Sequence, residues 1–518
     1  MAAGTGVVGT DAPAGTPPAP RRDLFWPAFL LCAAVSLIPI WSVTWLPLTD
    51  LPQHAAQVFL WQHYDDPQYG IAARAEFQWF NPYLLGYAAW RLLAVFLPIA
   101  AGAKVLASVA VLALPCSFLL WFKHTGQEER WWALLGFPLA YGFSFYFGFL
   151  NFVLALPLGI AALAWGWSYA HAPNLRRGLA VLVAGLVLFL AHGLVMCFAL
   201  AITASLILVH APNVKAAARR LWPVALWLIP LIIYALLFSR MSEQGHWVGT
   251  RWQRWNLGWD RVFFLPHYLI GFPQDWLGAV WVLAVALAAG YVLRPARAAA
   301  DWIPSAWALA FLLLGPDTFM GTKFICYRFA AFLPPFLLAG LRPRGSPARM
   351  KAVRGVVFAL TLLWLVVLSA RFRGFEEEAR AFHAVLERLP PQKTVLPLIF
   401  DPHSEHVYGL PYLHFATWYE VEKGGRAGFS FLDFGRALLR NRPGVHKLAD
   451  EALQITPEIF AWDEYRHFDY FLVRAKEDQG PALFARADVP VECVVRSGKW
   501  YLYEPRRETP PRPAKERP

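Results

Sequence analysis

Residues 324–370 read FICYRFAAFLPPFLLAGLRPRGSPARMKAVRGVVFALTLLWLVVLSA: two apolar runs, about 324–341 and 353–370, joined by a loop that carries Arg342, Arg344, Arg349, Lys351 and Arg354 and no acid. Each run approaches the roughly 20 residues that a helix needs to cross the hydrocarbon core of a bilayer. A basic loop between two such runs belongs on the cytoplasmic side. Outward from it, further apolar runs fall at about 24–46, 102–122, 131–147, 149–170, 177–191, 193–210, 221–239, 276–293 and 302–319. The loops Lys123–Arg130, His171–Arg177, His210–Arg220 and Arg294–Asp301 hold nearly all the other inter-helix Lys and Arg. They share one side only if the run Tyr83–Ile99, with Arg91 at its middle, does not cross. That run is therefore read as a re-entrant or interfacial helix. About eleven spans follow, with the N-terminus cytoplasmic and the C-terminus outside, in a multi-pass protein of the inner (plasma) membrane.

The composition agrees. Hydrophobic residues make up 57% of the chain and charged ones 16%, against about 25% charged in a soluble domain. The net charge of +12 sits in short loops and no zinc-finger spacing occurs, which excludes a nucleic-acid partner. Cys32, Cys116, Cys197 and Cys326 lie in or beside apolar runs and Cys493 stands alone near the C-terminus, so neither a disulfide within that region nor a metal site is implied. Residues 1–23, rich in Gly, Ala, Pro and Thr, are read as disordered. The first apolar run, after Arg21 and Arg22, is too long for a signal-peptide core and is read as an uncleaved anchor.

A membrane domain over 24–371 then carries two long outer segments, 47–101 and 240–275. The second is dense in Trp247, Arg251, Trp252, Arg254, Trp255, Trp259 and Arg261. These residues fit an aromatic belt with interfacial arginines, or an electropositive rim for a phosphorylated lipid. Beyond Arg371 the pattern changes to helical periodicity over Glu376–Leu389 and strands at Thr394–Phe400, Ala427–Phe431 and Asp469–Val473. A hairpin follows, Glu492–Arg496 turning at Ser497-Gly498 into Lys499–Tyr503. This is a soluble α/β domain over 372–506, on the outer side, with a Pro- and charge-rich disordered tail at 507–518.

Chemistry centres on Thr49-Asp50-Leu51-Pro52-Gln53-His54, just beyond the first span. If Gln53 onward is helical, Asp50 and His54 lie one turn apart on one face. Asp50 is then placed as a general base and His54 as its orienting or phosphate-binding partner; the competing role for Asp50 is to start the helix. In Lys323-Phe-Ile-Cys-Tyr-Arg328, the two basic residues either bind a phosphate or snorkel from a helix end. His192, in a very short turn, either touches a ligand or is a structural histidine, and Asp317 and Asn151 share that ambiguity. His403, His406 and His414 lack metal-binding spacing and are read as surface or packing residues.

The layout resembles the GT-C superfamily of polyprenyl-phosphate-sugar-dependent glycosyltransferases, which includes protein O-mannosyltransferases and the aminoarabinose transferase of lipid A. Asp50 in the first outer loop, Leu188-Phe-Leu-Ala-His192 and Tyr327-Arg328 through Leu333-Pro334-Pro335 carry the resemblance, which covers roughly residues 24–505. It implies an α-helical GT-C-like membrane domain with a C-terminal α/β domain, Asp50 as catalytic acid, and His54, His192, Lys323 and Arg328 as substrate-binding residues. It further implies a polyprenyl-phosphate sugar as donor substrate and an envelope glycan, lipid or protein as acceptor; the residues themselves point to no certain cofactor and make a divalent metal an unexpected one. The chain departs from the pattern where Leu51 follows Asp50, where Asn81-Pro82-Tyr83 replaces a Lys-Pro-Pro, and at Asn151 in place of a second outer acid. The other function classes compatible with such a chain are a transporter or flippase of envelope lipid or polysaccharide, and a non-catalytic assembly protein of the same fold.

Overall fold

The computed structural model describes residues 23–243, 254–271, 276–295, 298–319, 322–434 and 437–507. The proposed disordered ends, apart from Asp23 and Arg507, and Trp247, Arg251 and Trp252 of the second outer segment lie outside them. Four helices among the described residues are long and apolar enough to cross a membrane: Ile99–Thr125, Leu150–His171, Gly193–His210 and one beginning at Pro347. Trp222–Leu237 joins Val214–Arg220 at a 52° bend, and Phe25–Trp41 and Trp276–Val292 are shorter apolar helices.

The predicted span 177–191 forms the helix Leu175–Ala191, whereas the remaining ones are shortened or broken. Over 131–147 the chain breaks into the 3-10 turn Arg130–Leu135 and the short helices Gly136–Leu139 and Phe143–Tyr146. The breaks have a packing cause. A Cβ on Gly136 would lie 2.6 Å from Pro115 Cα, and one on Gly142 would lie 2.6 Å from the Leu269 carbonyl oxygen. Tight backbone contacts here replace lipid-facing side chains, and Trp132 to Tyr146 is almost wholly buried. The 302–319 run narrows to Ile303–Leu314, and 324–341 divides at a 3-10 turn, Phe329–Phe332. The run 83–99 holds only the ten-residue helix Leu84–Leu93, about 15 Å long and half a hydrocarbon core.

The five basic loops meet at one end of the bundle. Arg354 pairs with the buried Glu129 carboxylate at 2.8 Å, Arg342 reaches Asp301 at 3.5 Å, and Gln127 donates to the Leu338 and Leu341 carbonyls. Two three-residue strands, β1 (Leu293–Pro295) and β2 (Leu341–Pro343), pair antiparallel beside them.

The C-terminal domain carries a five-stranded mixed sheet. β3 (Thr394–Ile399) runs parallel to both β4 (Arg426–Ala427) and the central β5 (Tyr470–Arg474). The hairpin β6 (Val491–Ser497) and β7 (Trp500–Pro505) then extends β5 antiparallel. Gly498 turns that hairpin at φ +55°. The predicted strand 427–431 is mostly a turn, in which Phe429 packs on His414 and Phe431 on His54.

This domain is stitched to the first outer segment. Ala75–Phe77 pairs antiparallel with Leu439–Asn441. Leu60, Ile71, Ala75, Leu432 and Leu439 share a small core. The helix Leu51–Gln62 presents two buried glutamines to the domain: Gln53 bonds Thr417, the Phe429 carbonyl and the Phe431 amide, and Gln57 accepts from the Leu439 amide. Each glutamine satisfies backbone groups that burial would otherwise leave unpaired. The helix Pro347–Ala379 runs through the 371/372 boundary without a break, and its Glu376 accepts from Thr44 at 2.6 and 2.7 Å.

Candidate active site

The Leu51–Gln62 helix opens with Asp50 in the N-cap position and Pro52 in the first turn, where a missing N–H is tolerated. Asp50 makes no side-chain cap bond. Its carboxylate instead lies 3.5 Å from His414 Nε2 and is partly exposed. The backbone holds it there: Thr49 N–H donates to the Tyr146 carbonyl at 3.0 Å and Asp50 N–H to the Phe147 carbonyl at 3.1 Å. Gly148 (φ +76°) makes that approach possible, since a Cβ on it would stand 2.7 Å from Asp50 N.

His54 follows one turn on. Its Nδ1 lies 2.6 Å from the Tyr87 hydroxyl, and its ring meets Phe431 edge-on. Tyr87 also accepts from the Asn151 side chain. The Tyr87 hydroxyl thereby links the His54 ring to Asn151. Burial lowers the His54 imidazole to about 4; the nearby charges of His414 and Arg328 act in the same direction, against the Asp50 carboxylate. His54 is thus a neutral polar group beside a carboxylate.

Arg328 is buried, not snorkelling. Its guanidinium lies 3.6 Å from the centre of the Phe149 ring and donates to the Lys323 and Phe324 carbonyls at 2.9 and 3.3 Å. Phe324 adopts φ +59°, an uncommon conformation for a non-glycine residue that marks a constrained segment. His192 sits between the Tyr83 and Phe152 rings, with its Nδ1 buried and without a hydrogen bond. Burial holds its imidazole well below the usual range, and Arg328 is near enough to add to that effect.

Four of the five residues singled out in the sequence, Asp50, His54, His192 and Arg328, therefore surround one region between the bundle and the C-terminal domain. Lys323 does not join them through its side chain, which is exposed. His414 is corrected from a packing or surface residue to the partner of Asp50, and Tyr87 was not foreseen. Residue spacing does not reveal His414: its ring stacks on Phe429 at 5.0 Å within the C-terminal domain, while its Nε2 faces Asp50 across the domain boundary. Arg261, taken as a belt or rim residue, is fully buried and donates to the Leu312, Leu313 and Gly315 carbonyls. It caps the C-terminus of the Ile303–Leu314 helix, where a cation complements the dipole. Trp255 and Trp259 remain exposed, as belt residues are. No group of three or more His, Cys, Asp or Glu side chains among the described residues is placed to hold a metal ion.

No family model and no curated protein matches the chain. The chain is similar to a solved structure of the arabinofuranosyltransferase AftD from mycobacteria, determined by single-particle cryo-EM, with a TM-score of 0.49 and 14% sequence identity. The match covers 94% of this chain and 40% of the AftD chain, so the protein spans well under half of that enzyme's length.

Proposed function

We propose that the protein is an integral membrane glycosyltransferase of GT-C type, which moves a sugar from a polyprenyl-phosphate donor to an envelope acceptor on the outer face. The observation that carries this reading is the Asp50 carboxylate. It opens a helix without capping it, faces His414, and shares its surroundings with His54 and the buried Arg328 guanidinium at the edge of the apolar bundle.

In this reaction the acceptor oxygen attacks the anomeric carbon while its proton passes to Asp50. The bond from that carbon to the phosphate oxygen breaks, and polyprenyl phosphate leaves with the electron pair. Arg328 balances the charge that develops on the phosphate. His54, neutral and fixed by Tyr87, hydrogen-bonds substrate without competing for the proton. A single displacement inverts the anomeric configuration. The topology follows from loop charge: the basic end is cytoplasmic, and the site and C-terminal domain lie outside. Purified protein in liposomes, offered a panel of radiolabelled polyprenyl-phosphate sugars and envelope extract, tests the reading. Release of polyprenyl phosphate with transfer of label supports it; translocation of intact donor without bond cleavage identifies a flippase instead.

A further inference from the structure

Asp50 occupies the N-cap position of the Leu51–Gln62 helix, where an acid ordinarily turns an oxygen onto the amide at the second or third helical residue. Pro52 is the second and carries no amide, so the Gln53 N–H is the cap donor that remains. The carboxylate leaves that donor aside and lies 3.5 Å from His414 Nε2. An acid at a helix start that forgoes its local bond is held away from it by another contact, and the imidazole edge is placed to supply one.

His414 is itself fixed from several sides. It ends the segment 402–414 of the C-terminal domain, which is seated on both outer segments. The Leu410 amide donates to Thr49 Oγ1 at 3.3 Å, beside Asp50, and the Tyr408 hydroxyl lies 2.6 Å from His267 Nε2. The Ser404 hydroxyl donates to Glu378 at 2.6 Å and ties the start of the segment to the long Pro347–Ala379 helix. The His414 ring is 7% exposed, lies nearly parallel to Phe429 at 14°, and meets Phe431 at 72°. Phe431 packs in turn on His54, and the Thr417 hydroxyl, three residues beyond His414, accepts from Gln53 at 2.8 Å. The contacts that dock the domain therefore also fix the ring that faces Asp50.

We propose that His414 is the positioning residue for Asp50: delivered by the C-terminal domain, it holds the carboxylate clear of the Gln53 amide and open to the acceptor hydroxyl. His414 acts through Asp50 and touches none of the reacting atoms. The membrane domain alone thus carries the base without directing it. The inference rests on the reading of Asp50 as the base, and its test has one arm that does not involve turnover.

The experiment uses the full-length protein. His414→Leu keeps apolar packing against Phe429 and Phe431 and removes the ring nitrogens. In the structure of this variant in nanodiscs, solved with a bound antibody fragment, the Asp50 carboxylate is expected at hydrogen-bond distance, about 3 Å, from the Gln53 amide nitrogen. A carboxylate that keeps its wild-type position overturns the proposal, whether or not the protein transfers sugar. In the kinetic arm, release of polyprenyl phosphate by His414→Leu should show kcat lowered about 10²-fold and KM within about threefold, the pattern of a misplaced reacting group. His414→Gln, whose amide can stand in for Nε2, should recover kcat to within about tenfold of wild type. Equal losses in the two variants, or a loss carried by KM alone, overturn the proposal. If wild type shows no turnover, the transferase reading falls and the structural arm decides what holds Asp50. Should His414→Leu not fold, His414→Phe, which keeps the stacked ring, replaces it in both arms.

Discussion

Replacing Asp50 with Asn separates catalysis from architecture at a single functional group. The structure bounds the architectural cost. Asp50 makes no cap bond to lose, its backbone bonds to Phe147 and His54 are untouched by the change, and its partly exposed pair with His414 at 3.5 Å is worth about 0–1 kcal/mol. Asn is moreover among the best residues at a helix start. The apparent Tm should therefore move by only a few degrees at most. A general base typically contributes about 10²–10⁴-fold to rate, which corresponds to about 3–5 kcal/mol in the transition state. The assay compares release of polyprenyl phosphate by wild type and Asp50→Asn at equal abundance in liposomes. A fall of two orders of magnitude or more with unchanged Tm is expected. Equal rates would remove Asp50 from the mechanism and leave the fold without its proposed chemistry.

Three further outcomes are expected. Gly148→Ala should cost at least about 1 kcal/mol for its left-handed backbone and push Asp50 out of place, lowering turnover by up to about 10²-fold; a fully active, equally stable variant would contradict the role given to this turn. Burial raises Glu420 from 4.5 to about 7, so the folded state binds a proton that the unfolded state has released. Stability should then fall by about 3 kcal/mol as pH rises from about 4.5 to about 7. Asp433, raised to about 6 by burial, adds a slope of the same sign, and Tm against pH should flatten in Glu420→Gln; an unchanged slope refutes the assignment. A reporter active only outside the cytoplasm, fused after residue 400, should be active, and activity of a cytoplasm-only reporter there would reverse the topology.

Long-range burial was readable from hydropathy where one helix serves one span, as at Leu150–His171, and less so where glycine packing breaks the helix, as at Gly136 and Gly142. The sheet of the C-terminal domain was legible because β3, β5 and the Gly498 hairpin keep alternation and turn chemistry within a few residues. Its docking was not, since Gln53 and Gln57 look like ordinary polar positions on an amphipathic helix until their backbone partners arrive from the other end of the chain. Likewise Asp50 and His54 were visible as a one-turn pair, whereas Tyr87 and His414 join them only through tertiary contact. Arg261 misled because a buried helix-capping arginine and an interfacial one share the same neighbours in sequence.

The pairing of Ala75–Phe77 with Leu439–Asn441, together with the Gln53 contact to Phe431 across 378 residues, sets an order of events during synthesis. The first outer segment emerges early, yet its last strand partner and the groups that satisfy its glutamines are made only near the end of translation. Until then Ala75–Phe77 is an unpaired edge and the Leu51–Gln62 helix exposes a face meant for burial, the condition in which strands mispair and membrane chains are recognised as unfinished. A chain cut at residue 371 would keep every apolar helix and still lack a completed site. Quality control that senses the free edge would remove such products without inspecting the membrane bundle at all.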